Sequence, residues 1–132
     1  MDFVINVHSN GNAFIYPFNG RQKNDIEVRR PGIMAIFSQI STKAPFPVGT
    51  MKGTSKETMG IAIGGDQDDW TLDTLGIPSV TAELGFVGQF IDEWRVKDTS
   101  TANDIMVEQS AWVEYIYQHL GEFSSVVRAQ TR

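Results

Sequence analysis

The sequence predicts an α/β fold with strands and helices in layers, and three patterns predict it. Phe3-Val4-Ile5-Asn6-Val7-His8 is β-branched and apolar, as in a mostly buried strand. From Pro78 to Leu84 the chain alternates, with Val80, Ala82 and Leu84 set between Ser79, Thr81 and Glu83. Two other stretches carry apolar residues at three- and four-residue spacing, which places them on one helix face. These are Ile33, Ile36, Phe37 and Ile40, and then Ile105, Trp112, Val113, Ile116 and Leu120. Strand, helix, helix, strand, helix in that order is a layered α/β arrangement.

The connections follow from turn chemistry. Asn10-Gly11 marks a turn after the first strand, and Phe14-Ile15-Tyr16 is a short extended piece ahead of Pro17. Residues 19–30 are polar, with Asp25, Glu27, Arg29 and Arg30, and read as a solvated loop or the approach to a helix. Pro31 suits a first helical position, and Pro45 and Pro47 end that helix. Residues 48–60, with Gly49, Gly53 and Gly60, read as loop, and Ile61-Ala62-Ile63 as a short buried strand or an extended connection. Asp66, Asp68 or Asp69 caps a helix running to about Leu75, with Gly76 as a left-handed stop. After Gly85 the chain is irregular and aromatic until Asn103 or Asp104 opens a last helix to Leu120, with Gly121 beyond it.

Composition excludes several functions. The chain has 132 residues, 41% hydrophobic and 20% charged, which is enough for one domain or a piece of one and too apolar for disorder. Eleven Lys and Arg against 16 Asp and Glu give a net charge of −5, which argues against a basic nucleic-acid face and against a polybasic membrane face. Cysteine is absent, so disulfides, a thiolate nucleophile and Cys-ligated zinc are excluded, while the compartment stays open. No apolar run approaches the roughly 20 residues of a membrane span, and the first residues lack the basic start and long apolar stretch of a signal peptide.

Two residues stand out as candidates for chemistry. His8 ends an apolar strand beside a turn; the plain alternative is a hydrogen-bonded histidine at the core edge. Glu83 lies inside an apolar strand, where burying an ionised carboxylate is costly unless it is paired; the plain alternative is that residues 79, 81 and 83 face solvent. Both fall near the C-terminal ends of their strands, the edge where open α/β sheets form sites.

The residues around them form two neighbourhoods. One is His8-Ser9-Asn10 followed by Ile15-Tyr16-Pro17. The other is Asp69-Trp70, then Leu75-Gly76-Ile77-Pro78, then Thr81-Ala82-Glu83-Leu84-Gly85. In order and spacing they resemble the zinc metallocarboxypeptidases of the carboxypeptidase A/B type, over nearly the whole chain from Phe3 to the last helix. In that family a strand ends in a zinc-binding His followed by Ser, with Tyr-Pro soon after. Later come Asp-Trp on a helix and a strand bearing Thr-x-Glu-Leu/Ile-Gly.

The resemblance implies a mixed, mostly parallel sheet flanked by helices. It implies that His8 is the third zinc ligand and Glu83 the catalytic glutamate, which takes a proton from the attacking water and delivers it to the leaving amine. Ser9 and Asp68 then fall at substrate-binding positions. Asp68 lies where an acidic residue goes with a preference for C-terminal Lys or Arg; its plain alternative is an acidic helix start. Asp69 takes a helix-capping role. The substrate is a peptide or protein C-terminus, and the cofactor is zinc.

The family's other ligands, a His-x-x-Glu pair, lie upstream of the strand that opens this chain. Residues 1–132 therefore match a single partial domain, the C-terminal portion of the catalytic domain. On its own such a chain is expected to be inactive, to hold no tight zinc, and to form homo-oligomers or associate with a missing N-terminal half. His119, the other histidine, is expected at the surface of the last helix. The family's mobile Tyr should fall near Met59 to Ile61, and no Tyr is there. That absence favours one rival, a non-catalytic carboxypeptidase-like binding domain, which the retained His8 and Glu83 oppose; a second rival, a related zinc deacylase of N-acyl amino acids, shares the His and Glu chemistry, and the Tyr-Pro and Asp-Trp motifs favour the peptidase over it.

Overall fold

A computed structural model describes residues 1–20, 26–30, 32–92 and 94–130. The chain is mixed α/β. Its four strands are β1 (Val4–Ser9), β2 (Ala13–Ile15), β3 (Met51–Gly53) and β4 (Ser79–Leu84), and they form one open sheet in the order β1-β4-β2-β3. β4 pairs in parallel with β1 and antiparallel with β2, and β3 pairs in parallel with β2. The helices are α1 (Ile26–Arg29), α2 (Ile33–Lys43), α3 (Ser55–Thr58), α4 (Gln67–Leu75), α5 (Thr99–Gln118) and α6 (Leu120–Gln130). Among the described residues no helix is long and apolar enough to cross a membrane.

Because side chains alternate along a strand, each face of the sheet has its own chemistry. Ile5, Val80, Ala82 and Phe14 lie on one face, and α2 and α5 supply its core partners: Ile33, Ile36, Phe37, Ile40, Trp112 and Ile116. Phe14 is central, with the rings of Phe46 at 5.0 Å and Trp112 at 5.8 Å. The buried indole N–H of Trp112 donates to Gln109 at 2.6 Å, so the core holds no orphan donor there. The other face carries Asn6, His8, Ser79, Thr81 and Glu83, and α4 packs on it.

Several expectations are met, with changed boundaries. α4 starts at an Asp66 cap, whose carboxylate accepts from the Asp68 N–H at 2.7 Å, and stops at Gly76 with φ of +68°. α2 ends before Ala44, ahead of Pro45 and Pro47. Its first residue is Ile33, after Gly32, and Pro31 lies outside the described residues, as does Asp25.

Others are corrected. Phe3 to His8 is not mostly buried: β1 is an edge strand, exposed from Val7 on. The stretch 48–60 contains β3 and α3, the latter closed by a Thr54–Glu57 capping box. Ile61-Ala62-Ile63 is exposed and is not a strand. The last helix opens earlier, at an Asp98 cap that accepts from the Thr101 N–H at 2.8 Å, and α6 runs straight through Gly121.

Asn19 is buried rather than solvated. Its side-chain carbonyl accepts from the Ser55 N–H at 2.7 Å, and its amide donates to Asp66 at 2.8 Å. Asp69 is therefore not the cap. Its two oxygens accept the N–H groups of Asn19 and Gly20, at 2.7 and 2.8 Å, and brace that loop against α4. His119 is packed rather than free at the surface, stacked on Tyr115 at 4.1 Å with Nδ1 at 2.8 Å from the Tyr115 carbonyl.

Candidate functional site

His8 and Glu83 are partners in the β1–β4 ladder. Adjacent strands lie about 4.8 Å apart, and paired residues in a parallel ladder project to the same face. Both side chains line one cleft of about 460 Å³, with Asn6, Thr81, Ile15 and Asp66. His8 is exposed and Glu83 half-buried. Among the described residues neither has a hydrogen-bond or ion-pair partner. The plain alternative of a hydrogen-bonded core-edge histidine therefore does not hold, and Glu83 faces the cleft rather than open solvent.

Beneath this pair lies a second one. Asn6 and Thr81 are the next ladder partners on the same face, and both donate to Asp68, at 2.6 and 2.7 Å. The Ser79 hydroxyl adds a third bond at 2.5 Å. Asp68 is 0% exposed, and among the described residues no cation lies at hydrogen-bond distance from it. Burial pushes its carboxyl up from 3.8 to about 6, against the lowering effect of the three donors. It lies under the cleft rather than in the cleft wall. To meet a basic substrate side chain, this fully buried carboxylate would have to be uncovered.

Ser9 is placed elsewhere. It is one residue out of phase with His8 and lines an apolar depression of about 470 Å³ with Leu84, Phe90 and Trp94; His8 borders both this depression and the cleft, whereas Ser9 does not line the cleft. Ile63 lines the cleft near the place where the resemblance expects a Tyr.

Sequence reasoning missed the roles of Asn6, Ser79 and Thr81. Their signal was present: they share strand parity with His8 and Glu83, so polar residues recur on one face of two apolar strands.

As a metal site the donor set is incomplete. It offers one imidazole and a facing carboxylate, and among the described residues no three His, Asp or Glu side chains gather to hold an ion. A catalytic zinc takes about three protein ligands, so the described residues by themselves do not complete such a site. What the pair can do alone is accept and deliver protons at an open cleft. No protein-family model matches the sequence, and no curated protein matches it.

Proposed function

We propose that this chain is the C-terminal part of a zinc metallocarboxypeptidase catalytic domain, hydrolysing the last peptide bond of a peptide or protein. One observation carries the reading. The histidine and glutamate that the motifs single out are ladder partners at the C-terminal ends of two parallel strands, facing one cleft, and their side chains have no hydrogen-bond or ion-pair partner among the described residues. A proton-transfer pair must be free to meet substrate, and side chains with structural roles are normally satisfied within the fold.

In this reading His8 is one metal ligand, and the others come from outside these residues. Bound zinc would supply an acidified water and polarise the substrate carbonyl. Glu83 takes the proton as water attacks and passes it to the departing amine. Asn6, Thr81 and Asp68 hold the floor of the site. Ile63, standing near where the family places its Tyr, favours the second reading, a carboxypeptidase-like binding domain without turnover.

The test is the longer protein encoded with the coding sequence upstream of Met1, assayed for release of C-terminal Phe, Lys or Arg from N-acylated dipeptides. An upstream His-x-x-Glu and a loss of about 10³-fold or more in kcat for Glu83→Gln are the expected results. Absence of that motif, or unchanged turnover in Glu83→Gln, removes the peptidase reading.

A further inference from the structure

β1 and β2 are consecutive in the chain but not adjacent in the sheet, because β4 lies between them. Their connection, Asn10-Gly11-Asn12, therefore has to step over the end of β4. Two strand spacings are about 9.6 Å, which this short strap can span only by lying close to what it crosses. It crosses Glu83, Leu84 and Gly85. The Gly11 N–H donates to the Gly85 carbonyl at 3.3 Å, and the carbonyl of Asn12 accepts from the Met51 N–H at 3.0 Å, so both ends of the step are tied to the sheet.

A Cβ at position 11 would lie 3.1 Å from Glu83 Cβ, 3.4 Å from Glu83 Cγ and 3.1 Å from Met59 Cε. Gly11 does not have a positive φ; that role in the strap falls to Asn12, at +47°. Glycine is thus needed at position 11 for room, not for backbone freedom. The room it leaves is taken up by the stem of Glu83. β4 is paired on both sides at this residue, with His8 and with Ala13, so the Glu83 backbone cannot retreat.

We propose that Gly11 is a positioning residue for Glu83: the strap lies against the Glu83 stem and confines its carboxylate to the cleft beside His8. The placement stands on geometry alone; its importance for turnover rests on the carboxypeptidase reading above. A methyl group at position 11 is tighter than an ordinary contact. The tip of Met59 can yield to it, whereas the Glu83 Cβ is fixed by the ladder and does not move with χ1, so the strap must shift off the Glu83 stem and its hold on the Cγ is relaxed.

The experiment is NMR of the ¹³C,¹⁵N-labelled chain, reading Glu83 χ1 from the three-bond couplings of its Cγ to the backbone nitrogen and carbonyl. The expected result is limiting couplings of a single rotamer in the native chain. They become averaged or switched in Gly11→Ala. A role confined to stability would lower the melting temperature and leave these couplings unchanged. The proposal is overturned if Glu83 is already averaged in the native chain, a reading that does not depend on any variant folding. It is also overturned if Gly11→Ala leaves the couplings as they were. A locked Glu83 in a longer protein that hydrolyses no peptide would sink the carboxypeptidase reading and leave the positioning role standing.

Discussion

A buried carboxylate held by neutral donors alone is only partly compensated, and among the described residues Asp68 shows the consequence. The bonds from Asn6, Ser79 and Thr81 favour its ionised form, yet burial outweighs them and its carboxyl stands at about 6 instead of 3.8. That difference corresponds to about 3 kcal/mol between the two protonation states. The folded chain therefore holds this proton more tightly than the unfolded chain. The cost of ionising Asp68 is absent below about pH 3.8, grows between pH 3.8 and 6, and is complete above pH 6. Asp68→Asn cannot ionise, and its amide can still accept from Ser79 and donate to the Thr81 oxygen. Urea unfolding of the two proteins should show Asp68→Asn gaining on the native chain by roughly 2 kcal/mol as pH rises from 4 to 7. A difference that stays constant with pH would mean that Asp68 is held as an ordinary carboxylate.

Among the elements, β1 departs furthest from the expectation set by its own residues. Val4, Ile5 and Val7 read as interior strand, yet β1 is the sheet edge and Val7 is 62% exposed. Apolar composition reports that a strand seeks cover; it does not say whether that cover lies within the chain. The edge has none of the usual protections, with no charge, proline or bulge. Beside it, Trp94 and Met106 are 80% and 71% exposed around an apolar depression shared with Val7. An open edge next to apolar surface recruits another strand. Light scattering at micromolar concentration should find the chain self-associated, and Val7→Lys, which sets a charge on that edge, should return it to 14.7 kDa. A native chain that is already a clean, cooperatively unfolding monomer would contradict this. The elements that periodicity misjudged have local reasons too. β3 and α3 span three and four residues, too short to show a period, and α6 continues through Gly121 because a glycine lowers helix propensity without ending a helix.

At the scale of the whole molecule, the layers were legible and the strand order was not. Alternation in Ser79–Leu84 and the helical spacing of Ile33–Ile40 and Ile105–Ile116 gave two strands' worth of facing residues and the helices that cover them. The insertion of β4 between β1 and β2 depends on pairings some seventy residues apart, which no local pattern encodes. The candidate pair was legible because it needs only two facts: a polar residue of matching parity, and a position at the end of its strand. The proposed function requires His8 to be a metal ligand whose partner ligands lie outside the described residues. The direct measurement is zinc titration of the dialysed chain, followed by the imidazole signals of His8 and by metal content. A lone ligand binds weakly, since affinity comes from several deprotonated ligands together. The account predicts that zinc moves the His8 signals in fast exchange, that His8→Ala abolishes the response, and that no stoichiometric metal survives dialysis. One tightly held zinc per chain, or His8 signals unmoved at millimolar zinc, would contradict it.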